Sequence, residues 1–165
     1  MKKLIVITGA SSGIGEATAK LFSANGYPLL LLARRKERME ALNLPNTISK
    51  AVDVTNLEAL KAAVKEAEAE FGPTDTIINN AGVMLLGNVL DQDPSEWEKM
   101  LDVNVKGLLH GVNADIVRRI YSDNLLARKT FEVTTLNVDT DIPDEEAAQH
   151  RFHAIAVRNY KIDAT

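Results

Sequence analysis

The chain has 165 residues, of which 45% are hydrophobic and 25% charged, with a formal net charge of −4. That length suits one domain with its own core, and the slight negative charge gives no electrostatic basis for binding nucleic acid or an anionic membrane. Cysteine is absent, which excludes disulfides, thiol catalysis and cysteine metal sites. No apolar run approaches the ~20 residues of a membrane span, and the opening "MKKLIVITGA" is too short in apolar residues for a signal peptide, so a cytoplasmic protein is expected.

Leu4–Thr8 predicts a buried strand. Ile14, Ala17, Leu21 and Phe22 share one helical face, and Asn25 with Gly26 ends that helix. "YPLLLLA" (27–33) predicts a second strand, whose unbroken apolar character suits a sheet covered on both faces. A short charged helix begins near Lys36, and "TISKAVDV" (47–54) predicts a third strand. Thr55 and Glu58 form a capping box for a helix with Leu57, Leu60, Val64, Ala67 and Phe71 on one side. "DTIINNAG" (75–82) is a fourth strand and its exit. Asp93, Pro94 and Glu96 start another helix, with Trp97, Met100, Leu101, Leu108 and Val112 as its expected buried face. The alternation predicts an α/β domain, a Rossmann-like three-layer αβα arrangement on a parallel sheet with right-handed crossovers.

After Ala114 the alternation stops, so an incomplete or atypical C-terminal part is expected. "DIVRRIYSDNLLARK" (115–129) is compatible with a prolonged fourth helix. "TFEVTTLNV" (130–138) reads as a strand and "DIPDEEAAQHRF" (141–152) as a capped helix start. "FHAIAVRNYKI" (152–162) reads as a strand or as more of that helix, because periodicity does not separate the two over so short a run. At least four parallel strands are expected, with up to two more from the tail.

"TGASSGIG" (8–15) lies at the first strand-to-helix turn, with Gly9, Gly13 and Gly15 spaced TGxxxGxG. Glycines there let main chain approach a pyrophosphate, and the helix N-terminus adds free N–H groups and a positive dipole. Thr8, Ser11, Ser12 and Ile14 complete the stretch, the two serines as hydroxyl donors. The plainer alternative is a turn that only packs helix on strand. On the binding reading, valine at Gly13 or Gly15 costs cofactor binding more than folding. About 20 residues further on, an NAD site usually offers a carboxylate to the adenosine ribose. Here Ala33 is followed by Arg34, Arg35 and Lys36. Guanidinium forks without a carboxylate suit a 2′-phosphate, so NADP is expected over NAD. For Arg35 and Lys36 the alternative is a solvated helix start.

Three further stretches follow in order: "DV" (53–54), "NNAG" (79–82) and "NVKG" (104–107). With the glycine turn, over residues 1–113, they closely resemble the short-chain dehydrogenase/reductase family. The resemblance implies that Asp53 and Val54 contact the adenine, and that Asn80, with Ala81 and Gly82, shapes the ribose and nicotinamide side. It makes Asn104 the family's catalytic-helix asparagine, the one matched catalytic position. By spacing alone, Asn104 is a polar amide on an apolar stripe between Leu101 and Leu108, where a buried amide needs partners. Tying neighbouring main chain together is the equal alternative. The stretch from Asn80 to Asn104 resembles the bacterial branch acting on small 3-hydroxy acids such as serine.

The family completes its site with a serine on the fifth strand and a Tyr-x-x-x-Lys on the next helix. The tyrosine moves the proton during hydride transfer, the lysine supports it and the nicotinamide ribose, and the serine orients the carbonyl. In this chain Tyr27, Tyr121 and Tyr160 all lack a lysine four residues later. Tyr121 and Lys129 are about 12 Å apart if helical, and Tyr160 and Lys161 are adjacent. Family members also normally continue well beyond this length. The expected organisation is a single domain over 1–165, with a dinucleotide-binding part over 1–113 and an atypical tail over 114–165. The expected function is NADP(H) binding. The resemblance adds hydride transfer between NADP(H) and a small alcohol or carbonyl, as in an NADP-dependent oxidoreductase acting on CH–OH groups. The rival is a non-catalytic nucleotide-binding chain: a pseudoenzyme, a truncated or rearranged product, or an engineered Rossmann scaffold. No metal site is expected, since Glu146, His150 and His153 have no fourth companion. The expected partners are the dinucleotide and a small-molecule substrate, with homo-oligomerisation left open.

Overall fold

β1 (Leu4–Thr8) and β2 (Leu29–Ala33) are buried at every residue. A strand covered on both faces has no solvent side to mark with polar residues, which is why both read as unbroken apolar runs. Alternation then sorts the side chains. Leu4, Val6, Leu30 and Leu32 enter one core, while Ile5, Ile7, Leu29 and Leu31 enter the other. Full burial of each such side chain contributes about 2 kcal/mol. The computed structural model describes residues 2–88, 90–114, 129–136 and 154–161.

The remaining elements are α1 (Gly13–Ala24), α2 (Lys36–Glu40), β3 (Thr47–Ala51), α3 (Leu57–Phe71), β4 (Thr74–Asn79), α4 (Pro94–Leu101) and α5 (Gly107–Val112). A π-helical turn, Asp102–Lys106, joins α4 to α5. β2 pairs with β1 and β3, and β1 with β4, all in parallel. The order β3-β2-β1-β4 means that the chain steps outward twice and then returns across β1. That reversal leaves a switch point between β1 and β4, where open α/β sheets bind ligands. α1 and α2 cover one face; α3 and α5 cover the other. The three-layer, Rossmann-like arrangement is the one the alternation predicts. No described helix is long and apolar enough to cross a membrane.

β5 (Lys129–Leu136) and β6 (Ala154–Lys161) extend the sheet beyond β4, giving the order β3-β2-β1-β4-β6-β5. β6 runs antiparallel to both β4 and β5, so the sheet is mixed rather than wholly parallel. The strand expected over 130–138 is present, and the open choice over 152–162 resolves to a strand. The expected extension of the fourth helix beyond Ala114 and the helix start over 141–152 lie outside the described residues.

Three local expectations are corrected. The N-cap of α3 is Asn56, whose side chain accepts from the Ala59 N–H at 3.0 Å. Thr55 instead donates its N–H and hydroxyl to Asp53 Oδ1, at 2.9 and 2.7 Å, so it belongs to the preceding turn. On α1 the buried residues are Gly15, Ala19 and Ser23, while Leu21 is 63% exposed. The helix faces the sheet through its small residues, with Phe22 packed at the margin of that core and Leu21 turned to solvent. The same holds for the fourth helix: α4 has no buried residue, and Leu101 is 59% exposed. This run packs inward through Gly107 and Gly111, where a Cβ would meet the side chains of Val54 and Asn79.

Candidate functional site

The C-terminal ends of β1 to β4 surround an open cleft at the switch point. Gly9, Ser11, Ser12, Gly13, Ile14, Arg34, Arg35, Asp53, Val54, Asn80, Ala81 and Gly82 all line it. Thr8 and Gly15 do not; they are buried behind the lining, while Asn104 stands exposed beside the Val83 rim. Leu32, Val52, Val83 and Val103 line it as well. Sequence reasoning passed over these four because an apolar residue at a strand or helix end carries no sign of whether it faces core or cleft.

Thr8 and Asn80 join β1 to β4. Thr8 Oγ1 accepts from the Asn80 and Ala81 N–H groups, both at 3.0 Å, and donates to the Ile78 carbonyl at 3.4 Å. Asn80 Nδ2 donates to the carbonyls of Thr8 and Gly9, at 3.1 and 3.3 Å. The switch point is thereby closed underneath, and the turn above it is held in one shape.

The glycines of that turn differ. Gly13 has φ +56°, in the left-handed region, and a Cβ built there meets nothing within 4 Å. Its constraint is conformational, and its free side belongs to the cleft. At Gly15 a Cβ would meet the Gly9 carbonyl oxygen, with Asn80 Nδ2 at 2.5 Å. Gly15 sets how closely α1 approaches the turn, so the equal expectation for valine at both positions does not hold.

Arg35 crosses the glycine turn. Its Nη2 donates to Ser11 Oγ at 3.4 Å and to Ser12 Oγ at 3.3 Å, bringing guanidinium and hydroxyl donors together at one end of the cleft. Arg34 is exposed and faces Asp53 electrostatically. Burial pushes the Asp53 carboxyl up, but the Thr55 hydroxyl and N–H and the Arg34 charge together hold its pKa below the ordinary 3.8. A carboxyl held low in the folded state contributes stability that is present above its unfolded pKa and lost as pH falls through the folded value. Asp53→Asn should therefore lower the denaturation midpoint near neutral pH, and the gap to the unmodified chain should close at an acidic pH below the ordinary carboxyl range. Urea melts at both pH values check this; a gap that persists in acid would show that the Asp53 charge is not responsible.

Asn104 lies in the π turn, where the Gly107 N–H reaches back to the Asp102 carbonyl; such turns are frequent at functional sites. Asn104 is exposed rather than buried, correcting the expectation from its apolar neighbours. Its Oδ1 accepts from the Val83 N–H and its Nδ2 donates to the Val83 carbonyl, both at 2.8 Å. The side chain thus pairs with the strand exit as a neighbouring strand would. Further along, Gln92 Nε2 donates to the Leu85 carbonyl at 2.7 Å and Trp97 Nε1 to Gln92 Oε1 at 2.8 Å, tying the loop to α4.

Tyr121, Glu146, His150 and His153 lie outside the described residues. Among the described residues no group of three or more His, Asp or Glu could hold a metal ion.

Residues 3–119 match the family model for short chain dehydrogenases. An uncharacterized oxidoreductase of Staphylococcus saprophyticus is 44% identical over 116 residues, covering 68% of this chain and 47% of that protein. One from Staphylococcus aureus strain MW2 is 38% identical over 143 residues, covering 80% and 61%. The chain thus spans about half to three-fifths of these relatives' length. Among solved structures, serine dehydrogenase from Escherichia coli has a TM-score of 0.66 at 29% identity, covering 72% of this chain and 56% of that one. An alcohol dehydrogenase from the archaeon Thermococcus sibiricus, complexed with 5-hydroxy-NADP, has a TM-score of 0.67 at 28% identity, covering 74% and 55%.

Proposed function

Because the chain belongs to the short-chain dehydrogenase family, whose members bind nicotinamide dinucleotides, we propose that it holds NADP(H) in the cleft at the β1–β4 switch point. The observation that carries the NADP choice is Arg35 lying on Ser11 and Ser12, with Arg34 beside it and no carboxylate at the end of β2. The open side of Gly13 and the free N–H groups starting α1 suit a pyrophosphate. Asp53 and Val54 would take the adenine, and Asn80, Ala81 and Gly82 the ribose and nicotinamide side. Bound there, the cofactor would supply a hydride for exchange with a small alcohol or carbonyl once a proton donor completes the site, which no Tyr-x-x-x-Lys in this chain provides. Asn104 keeps the Val83 rim in place while the substrate docks. The likeness to the serine dehydrogenase favours a 3-hydroxy acid as substrate, and that to the archaeal enzyme, crystallised with an NADP derivative, favours NADP. A cysteine-free composition suits the cytoplasm.

A second reading, nucleotide binding without turnover, is favoured by one sequence fact: no tyrosine in the chain has a lysine four residues later.

Fluorescence titration tests the cofactor reading. NADPH should bind more tightly than NADH, and equal affinity or the reverse order would overturn the 2′-phosphate assignment. Arg34→Asp should weaken NADPH roughly 10- to 100-fold, because repulsion replaces a charge-assisted hydrogen bond, while leaving NADH little changed.

A further inference from the structure

Val54 lines the cleft three residues beyond the end of β3 at Ala51, where strand pairing no longer supports it. Two contacts from α5 hold it instead. Its side chain, 6% exposed, packs on Gly107, where a Cβ would come within 2.6 Å of Val54 Cγ2. Its carbonyl oxygen lies 2.8 Å from His110 Nδ1. A carbonyl only accepts, so Nδ1 carries the proton and donates.

The peptide unit joining Val54 to Thr55 is therefore held at both ends. Its C=O accepts from His110, and its N–H donates to Asp53 Oδ1 at 2.9 Å. The Thr55 hydroxyl adds a second bond to the same carboxylate oxygen, at 2.7 Å. Rotation of that peptide would break both bonds and release the Asp53 carboxylate from its turn.

We propose that His110 is a positioning residue for the nucleotide: by fixing the Val54–Thr55 peptide it orients Asp53 at the adenine end of the cleft. This rests on the dinucleotide reading above. His110 touches no ligand itself and acts through Asp53.

The experiment is a double-mutant cycle read by binding of 2′,5′-ADP, the adenosine half of NADP. In the otherwise unmodified chain, His110→Ala should weaken 2′,5′-ADP about 5- to 10-fold, the effect of one hydrogen bond. In an Asp53→Ala background, which removes the acceptor that Thr55 holds, the same change should cost less than about 2-fold. His110→Asn, whose Nδ2 occupies the place of Nδ1 and keeps a donor, should restore binding. An equal loss in both backgrounds, no loss at all, or failure of His110→Asn to restore overturns the proposal. If the alanine variant does not fold, His110→Gln replaces it in the cycle with the same expectations, since it keeps bulk but carries the donor one carbon further out. Absence of 2′,5′-ADP binding by the unmodified chain overturns the dinucleotide reading itself, and this proposal with it.

Discussion

Gly15→Ala should destabilise the chain by about 3 kcal/mol, at the upper end of what overpacking costs and a large share of the 5–15 kcal/mol that holds a typical domain together. The added Cβ would meet the Gly9 carbonyl oxygen and stand 2.9 Å from the Gly9 carbonyl carbon. Main chain cannot step aside as a flexible side-chain end can. Asn80 Nδ2, the third neighbour, is engaged with the carbonyls of Thr8 and Gly9, so moving it opens the joint between β1 and β4. Gly13→Ala supplies the control. Its site is open, and only the left-handed φ of +56° opposes the substitution, at about 1–2 kcal/mol. Urea denaturation should show a much lower midpoint for Gly15→Ala, whereas Gly13→Ala should stay folded and show its larger effect in NADPH affinity. Equal midpoints for the two variants would show that α1 can retreat from the turn without loss.

NADPH oxidation by this chain alone, over a panel of small carbonyl compounds, should not rise above the background rate. Hydride addition to a carbonyl creates an alkoxide that needs a proton and an electrostatic partner. A positioned acid typically contributes ~100- to 10,000-fold, and donors preorganised at the developing oxyanion a further ~100- to 1,000-fold. Asn104 cannot supply the proton, because an amide is not an acid, and its Oδ1 and one Nδ2 hydrogen are engaged with Val83. The motif tyrosine and lysine that would supply the proton have no counterpart at the required spacing. Tyr121→Phe and Tyr160→Phe should leave the rate unchanged. Turnover well above background that disappears in either variant would show that the tail supplies an acid by another geometry. Failed turnover alongside tight NADPH binding separates the reading without catalysis from failure of the dinucleotide site.

The two ends of the chain differ in how legible they are. Between Leu4 and Asn79, β1 and β2 are apolar runs bounded by turn signals, and α3 repeats its apolar residues near 3.6. These are local signals, and they suffice to place the parallel strands and the glycine turn within a few residues. Beyond Ala114 the signal weakens: residues 152–162 fit strand and helix alike, and only pairing with β4 and β5 decides for a strand. Capping shows the same limit on a smaller scale. Thr55 and Asn56 both suit an N-cap, and the choice falls to Asn56 because Asp53 has already taken the Thr55 N–H and hydroxyl.

By itself the sequence determines the α/β alternation, the strand-turn-helix setting of Gly9, Gly13 and Gly15, the basic pair after β2 and the order of motifs that marks the family. All of these are written in residues near one another in the chain. Only the tertiary structure decides which face of a helix turns inward, what Asn104 touches, and why Gly15 and Gly13 differ. Leu101 and Leu21 read as core by apolarity, yet both are exposed, because the closest approach to the sheet runs through small residues. The hydrogen bonds around Thr8 and Asn80 join residues 72 apart, and that between His110 and Val54 joins residues 56 apart. Periodicity and turn chemistry act over a few residues, whereas the shape of the cleft depends on contacts that exist only once the strands have been brought side by side.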